Sequence, residues 1–145
     1  MASHDNALNY DSTHPEIWTN RGNSYYKLGE KNCDLTLLDS ALYCFDRAVE
    51  LDSSFYLAIA NQANIFMMLE RYKPAMVYAN RALSYDSTCS IALYCKGIIL
   101  GEQGRLAQAI TVLENAKKHS QGNDQFISSI NISITEFQTR MKSDQ

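Results

Sequence analysis

No apolar stretch in this sequence approaches the roughly 18 residues that a membrane-spanning helix needs, so no span is expected. Basic clusters are missing too. Thirteen Lys and Arg stand against sixteen Asp and Glu, a formal net charge of −3, and no run of cations occurs. Nucleic acid binding, which sets clustered Lys and Arg against phosphate, is therefore not expected. Catalytic signatures are also lacking. There is no HExxH, no CxxC, no phosphate-cradling glycine loop and no GxSxG. The three histidines, His4, His14 and His119, are scattered. His119 follows Lys117 and Lys118 where a helix would end, a place that favours cations. Neither an enzyme, a cofactor nor a metal is expected.

Met1 to His14 is polar and has no apolar segment, so it does not read as a signal peptide. Residues 1–14 are expected to be a disordered or loosely docked arm. The four cysteines, Cys33, Cys44, Cys89 and Cys95, show no paired metal-ligand spacing. They read as reduced and structural, and the expected compartment is the cytoplasm. Asn131-Ile132-Ser133 fits a glycosylation acceptor but falls within a helical pattern, and it is discounted. The chain has two prolines, Pro15 and Pro74. Both fall where a helix would start, a position that tolerates the missing N–H.

What the chain does have is an echo at 34 residues. Ala41, Ala75 and Ala109 are 34 apart, as are Ala48, Ala82 and Ala116. Between each pair stands Phe45, Ala79 or Leu113. A fixed period of this length means stacked copies of one small unit. Upstream of each alanine pair lies a small residue, Gly22, Ala63 or Gly97. Three residues later come Tyr25, Phe66 and Leu100, and four residues earlier Trp18, Ile59 and Leu93. Offsets of four and three place large, small and large on one helical face. Each unit thus reads as two amphipathic helices, A and B. Gly29 and Gly104 are placed to end the A helices of the first and third units in the left-handed conformation. Asp52-Ser53-Ser54 and Asp86-Ser87-Thr88 close the first two units as turns.

The segment Trp18 to Gly29 resembles helix A of a tetratricopeptide repeat, and Ala41 to Asp52 (ALYCFDRAVELD) resembles its helix B. Ala75 to Asp86 and Ala109 to His119 keep the same register. The resemblance covers roughly residues 15–120. The proline that often closes a repeat is replaced by Ser53, Ser87 and Gln121. A second departure is an insertion. Nineteen residues separate Gly22 from Ala41, but twelve separate Ala63 from Ala75 and Gly97 from Ala109. Seven residues is close to two helical turns and barely rotates a helix face. Leu35, Leu38, Leu42 and Phe45 carry one apolar stripe through the insertion. The expectation is a first B helix lengthened at its start with Asp34 as N-cap; the alternative is a longer loop.

The organisation expected is residues 15–54, 55–88 and 89–122 as three units, 123–141 as a capping helix and 142–145 as a tail. Phe126, Ile130, Ile134, Phe137 and Met141 form the single apolar face of that cap, which would cover the open end of the last unit. The resemblance implies an all-α, right-handed solenoid with the A helices lining its concave side. A-helix residues outside the core would then form a groove. The first unit offers Glu16, Thr19, Asn20, Asn23, Tyr26 and Lys27. The second offers Leu57, Ala60, Asn61, Asn64, Met67 and Met68, and the third Ile91, Tyr94, Cys95, Ile98, Gly101 and Glu102. The candidate peptide site is this set without Glu16, Asn20, Ala60, Gly101 and Glu102.

One subset of the family grips the C-terminal carboxylate of chaperones with Lys and Arg from the first and third repeats and two asparagines between. Asn23 and Asn61 match the asparagines. Thr19, Ile91 and Cys95 stand where the cations would be, and a buried carboxylate without charge partners is strongly disfavoured. The expected function is a non-enzymatic interaction module, adaptor, scaffold or chaperone-like, that binds an apolar peptide segment of a partner protein. The alternative is a structural protein that self-associates through the lengthened B helix or the C-terminal helix.

Overall fold

A computed structural model describes residues 13–143. The described residues form seven helices: α1 (Pro15–Asn32), α2 (Leu35–Leu51), α3 (Tyr56–Met68), α4 (Tyr72–Tyr85), α5 (Ser90–Glu102), α6 (Leu106–Lys118) and α7 (Asp124–Ser143). Residues 1–12 of the expected arm lie outside the described part, as do the last two of the expected tail, while α7 continues through Lys142 and Ser143.

Helices pack in sequence as pairs α1–α2, α3–α4 and α5–α6, and each pair stacks on the next element through α2–α3, α4–α5 and α6–α7. Contacts also run along one layer, from α1 to α3 and from α3 to α5. The result is an all-α solenoid, curved with α1, α3 and α5 on the inside. The repeating alanines explain the pairing. Ala41, Ala48, Ala75, Ala82, Ala109 and Ala116 are all 0% exposed, as are Phe45, Ala79 and Leu113 between them. Residue size is matched across each pair. A Cβ placed on Gly22 would meet Phe45 Cε1 at 2.6 Å, and one on Gly97 would meet Leu113 Cγ at 2.7 Å. In the middle unit Ala63 and Ala79 share one core cluster, so the partner is small and the glycine is not required.

The core is a chain of three clusters. The first contains Trp18, Leu38 and Phe45 but also Ala58 and Ile65 from α3. The second joins α3 and α4 to Cys89, Ala92 and Cys95. The third joins Leu93, Leu100 and Leu113 to Ile130, Ile134 and Phe137 of α7. Each unit is completed by the helix that follows it, the nearest-neighbour logic of a solenoid. The amphipathic face of α7 is spent on covering the last pair.

The insertion extends both helices of the first pair. Helix α1 runs ten residues past Gly22, whereas α3 and α5 end five past Ala63 and Gly97. Helix α2 begins six residues before Ala41, whereas α4 and α6 begin three before their alanines. The linking turn shrinks to Cys33 and Asp34. The expected lengthening of α2 is present, and α1 takes the larger share. Asp34 caps α2 as expected, accepting the Thr36 N–H at 2.9 Å. Its own amide closes α1 by donating to the Gly29 carbonyl at 2.9 Å. Replacing Asp34 with alanine removes one cap and lowers stability by about 1 kcal/mol; the midpoint of a urea melt followed by circular dichroism checks this.

Gly29 does not end its helix. It lies inside α1 against Leu38, whose Cδ2 is 2.9 Å from where a Cβ would be. The left-handed residue is Cys33, at φ 53°. The third A helix ends as expected, with Gly104 at φ 85°, and in the second Glu70 takes the matching position at φ 60°. The turns between units also match. Asp52 accepts the Ser54 N–H at 3.0 Å and hydroxyl at 2.7 Å, and Asp86 accepts the same groups of Thr88 at 2.9 and 2.7 Å. These bonds hold both carboxyls below the usual carboxylate range.

Candidate binding groove

The inner layer of α1, α3 and α5, together with the first turns of α7, borders a concave groove of about 880 Å³. Helix α1 contributes Glu16, Thr19, Asn20, Asn23, Tyr26, Lys27 and Glu30. Their three- and four-residue spacing keeps them on one face. Leu57, Asn61, Asn64, Met67 and Met68 of α3 form the floor, with Phe55 just before it. Ser90, Ile91 and Tyr94 of α5 and Asn123, Phe126 and Ser129 around the start of α7 form the far wall.

Eleven of the thirteen candidate residues therefore face one space: Thr19, Asn23, Tyr26, Lys27, Leu57, Asn61, Asn64, Met67, Met68, Ile91 and Tyr94. Cys95 and Ile98 do not line it. Cys95 is 0% exposed, and Ile98 packs against the third core cluster. Of the other concave-side candidates, Glu16 and Asn20 line the groove. Ala60 is 0% exposed. Gly101 lies under Phe137, and Glu102 pairs with Arg140 of α7 at 3.4 Å. Phe126, Asn123 and Ser129 escape the reading by offsets because the cap does not repeat. One clue was present. Tyr94 is a large aromatic where the other units have Thr19 and Ala60, and it meets the Phe126 ring edge-on, with centroids 5.3 Å apart.

The asparagines tie the inner helices together. Asn61 Nδ2 donates to Asn23 Oδ1 at 3.0 Å, and Asn64 Nδ2 donates to Tyr26 Oη at 2.9 Å. Tyr26 Oη in turn donates to Glu30 Oε2 at 2.7 Å. Burial and the bond to Glu30 push the Tyr26 hydroxyl well above its ordinary pKa, so it stays a neutral donor. Cys95 sits beneath this ladder with Sγ 4.0 Å from Asn64 Oδ1, and burial pushes its thiol up as well. A neutral, buried thiol is a poor nucleophile. Each bonded amide keeps a second donor or lone pair that a ligand's main chain can use. The groove is thus polar and charged along α1, while Leu57, Met67 and Met68 flank the asparagines of α3 and Ile91, Tyr94 and Phe126 alternate with Ser90, Asn123 and Ser129 on the far wall. Among the described residues, no three metal-ligating side chains come together, and no helix is long and apolar enough to cross a membrane.

Three stacked helix pairs with a capping helix define the tetratricopeptide-repeat fold, and the chain adopts it. No family model matches the sequence. Over 116 residues the chain is 28% identical to Protein bimA of Emericella nidulans; the match takes in 80% of this chain and 14% of that protein. Among solved structures, the first TPR of Spaghetti (RPAP3), bound to the HSP90 peptide SRMEEVD, superposes with a TM-score of 0.72 at 17% identity, covering 90% of this chain and 98% of that one. The Arabidopsis OM64 TPR domain gives 0.70 at 17% identity, with 89% and 98% covered. The TPR2B domain of yeast Sti1 in its complex with pHsp70 gives 0.68 at 15% identity, with 87% and 97% covered.

Proposed function

We propose that this protein is a non-enzymatic protein-interaction module, an adaptor or chaperone-like scaffold, that binds an apolar peptide segment of a partner in its concave groove. Its repeat units run over residues 15–54, 55–88 and 89–122. The observation that carries the reading is the convergence of residues from α1, α3, α5 and α7 on one concavity, where a polar ladder stands beside the apolar side chains Leu57, Met67, Met68, Ile91 and Phe126. Support comes from the Spaghetti and Sti1 domains, whose structures hold chaperone-derived ligands on the same fold. Burying one apolar side chain fully is worth roughly 1.5–3 kcal/mol. Two or three anchors among Leu57, Met67, Met68 and Ile91 bring affinity to about the micromolar range after association costs. Methionine suits such a surface because it adapts its shape. Within this reading the cysteines are structural and the compartment is the cytoplasm.

Met68→Glu tests the groove. A carboxylate placed on the floor weakens partner capture about tenfold or more, because an apolar ligand would leave it desolvated and unpaired. Tyr94→Glu acts in the same direction but also removes the brace on Phe126, so Met68→Glu is the cleaner variant. Capture from the native organism at wild-type level by folded Met68→Glu would overturn the assignment.

A second reading, self-association, draws on the lengthened first pair, where Leu28 is 50% and Leu35 63% exposed. Sedimentation decides it: a monomer at high concentration removes it, and a dimer dissociated by Leu35→Glu establishes it.

A further inference from the structure

The groove differs from end to end, and that difference specifies its ligand more narrowly than apolarity does; the step rests on the groove being the binding site. Near one end lies Thr19, only 5% exposed, whose Oγ1 has no hydrogen-bond partner among the described residues. A buried hydroxyl in this condition is unfavourable; its oxygen is covered as it stands, and a turn of the side chain toward the groove that Thr19 lines would let a ligand group bond it at little further desolvation cost. Towards the other end stands Glu30, held in place by the Tyr26 hydroxyl. Thr19 and Glu30 are eleven residues apart on α1, about 16 Å of helix rise. That length matches about five residues of extended chain.

Charge points the same way. The groove is lined by two carboxylates, Glu16 and Glu30, and one cation, Lys27. The lysine is three residues from Glu30 and so shares its field. Every lining residue from α3, α5 and α7 is uncharged. Lys27 offsets one of the two carboxylates and leaves the lining with one excess negative charge, and a ligand cation would find Glu30 with its geometry already fixed.

We infer that the occupant is an extended segment of a partner protein, spanning about five residues across the groove, with apolar side chains toward α5 and α7. One of its polar groups bonds Thr19 Oγ1, and a lysine or arginine meets Glu30. Acidic tails ending in a free carboxylate are rejected.

The test is selection of binders from a random peptide library displayed in two formats, between two folded domains and with a free C-terminus, so that a terminal carboxylate is offered in one arm only. Enriched peptides are then measured by fluorescence polarisation against the wild type, Met68→Gln (uncharged, so that it does not itself attract a cationic peptide), Thr19→Val and Glu30→Gln, with circular dichroism confirming that each variant is folded. The expected peptides are apolar and carry net positive charge. Thr19→Val, which keeps the side-chain shape, weakens them about threefold to tenfold. Glu30→Gln weakens the cation-bearing ones about twofold to fivefold, less so at high salt. Enrichment of acidic peptides in either format, or wild-type affinity in both Thr19→Val and Glu30→Gln, overturns this inference while leaving the groove standing if Met68→Gln still weakens binding. Peptides that bind Met68→Gln as well as the wild type, or no enrichment at all, overturn the groove reading and this inference with it.

Discussion

Truncating Phe45 to alanine lowers the unfolding free energy by about 3–5 kcal/mol, a large fraction of the roughly 5–15 kcal/mol available to a domain. The ring is 0% exposed and lies in the first core cluster with Trp18, Leu38 and Ile65. Its removal opens a cavity that α1, α2 and α3 all border, and close-packed helices relax only partly into such a space. A second substitution makes the experiment sharper. Gly22→Ala alone is destabilising, because its methyl would stand 2.6 Å from Phe45 Cε1. In the Phe45→Ala background the same change is stabilising. The methyl now fills part of the cavity, and alanine is better than glycine by about 1 kcal/mol within a helix. The sign of one mutation thus reverses with the identity of its partner. The middle unit holds the doubly substituted arrangement naturally, as Ala63 and Ala79. Urea midpoints of the four proteins in this cycle check it. Additive effects would show that the two positions do not share one packing site.

The same pair shows why so much of the scaffold was legible in the sequence. Small and large residues must alternate across a helix pair, and the alternation recurs every 34 residues, so each unit confirms the others. Legibility failed where the repeat carried no comparison. Gly29 looked like a helix end because Gly104 holds that place in the third unit, yet in the lengthened first pair α1 continues past it. There the glycine makes room for Leu38, and Cys33 takes the left-handed turn instead. Offsets could count seven extra residues but could not divide them between two helices that both tolerate extension. The groove was legible along α1 and α3, where polar and apolar faces differ. On α5 it was less so. Ile91, Leu93, Ile98, Ile99 and Leu100 make that helix apolar nearly all round, and a helix buried from several sides gives no face to read. Cys95 and Ile98 were assigned to the groove for that reason. The share contributed by α7 was hidden because a cap has no second copy in the chain.

That share underlies the second large effect expected. Gly101→Ala destabilises the protein by about 1–3 kcal/mol and weakens groove binding, although Gly101 lies outside the groove. Two effects oppose each other. Helix propensity favours the alanine by about 1 kcal/mol, but its Cβ would lie 2.1 Å from Phe137 Cζ and within 2.5 Å of both Cε atoms. A flexible side chain could swing away from such a contact; this ring cannot. Phe137 is 2% exposed, and the Arg140 guanidinium lies 5.3 Å from its centroid, bonded in turn to Glu102 and Glu136. The clash therefore outweighs propensity, and α7 itself must move. The start of α7 carries Phe126, which meets Tyr94 at the groove wall, so displacement of the cap reshapes the binding surface. Phe137→Leu, added to Gly101→Ala, removes the obstructing ring atoms and restores both stability and binding toward the level of Phe137→Leu alone. Thermal melts, amide hydrogen exchange along α7 and ligand affinity should move together across the four proteins. A Gly101→Ala protein that is more stable than the wild type, with exchange along α7 unchanged, would show that propensity wins and that the cap is not wedged against this glycine.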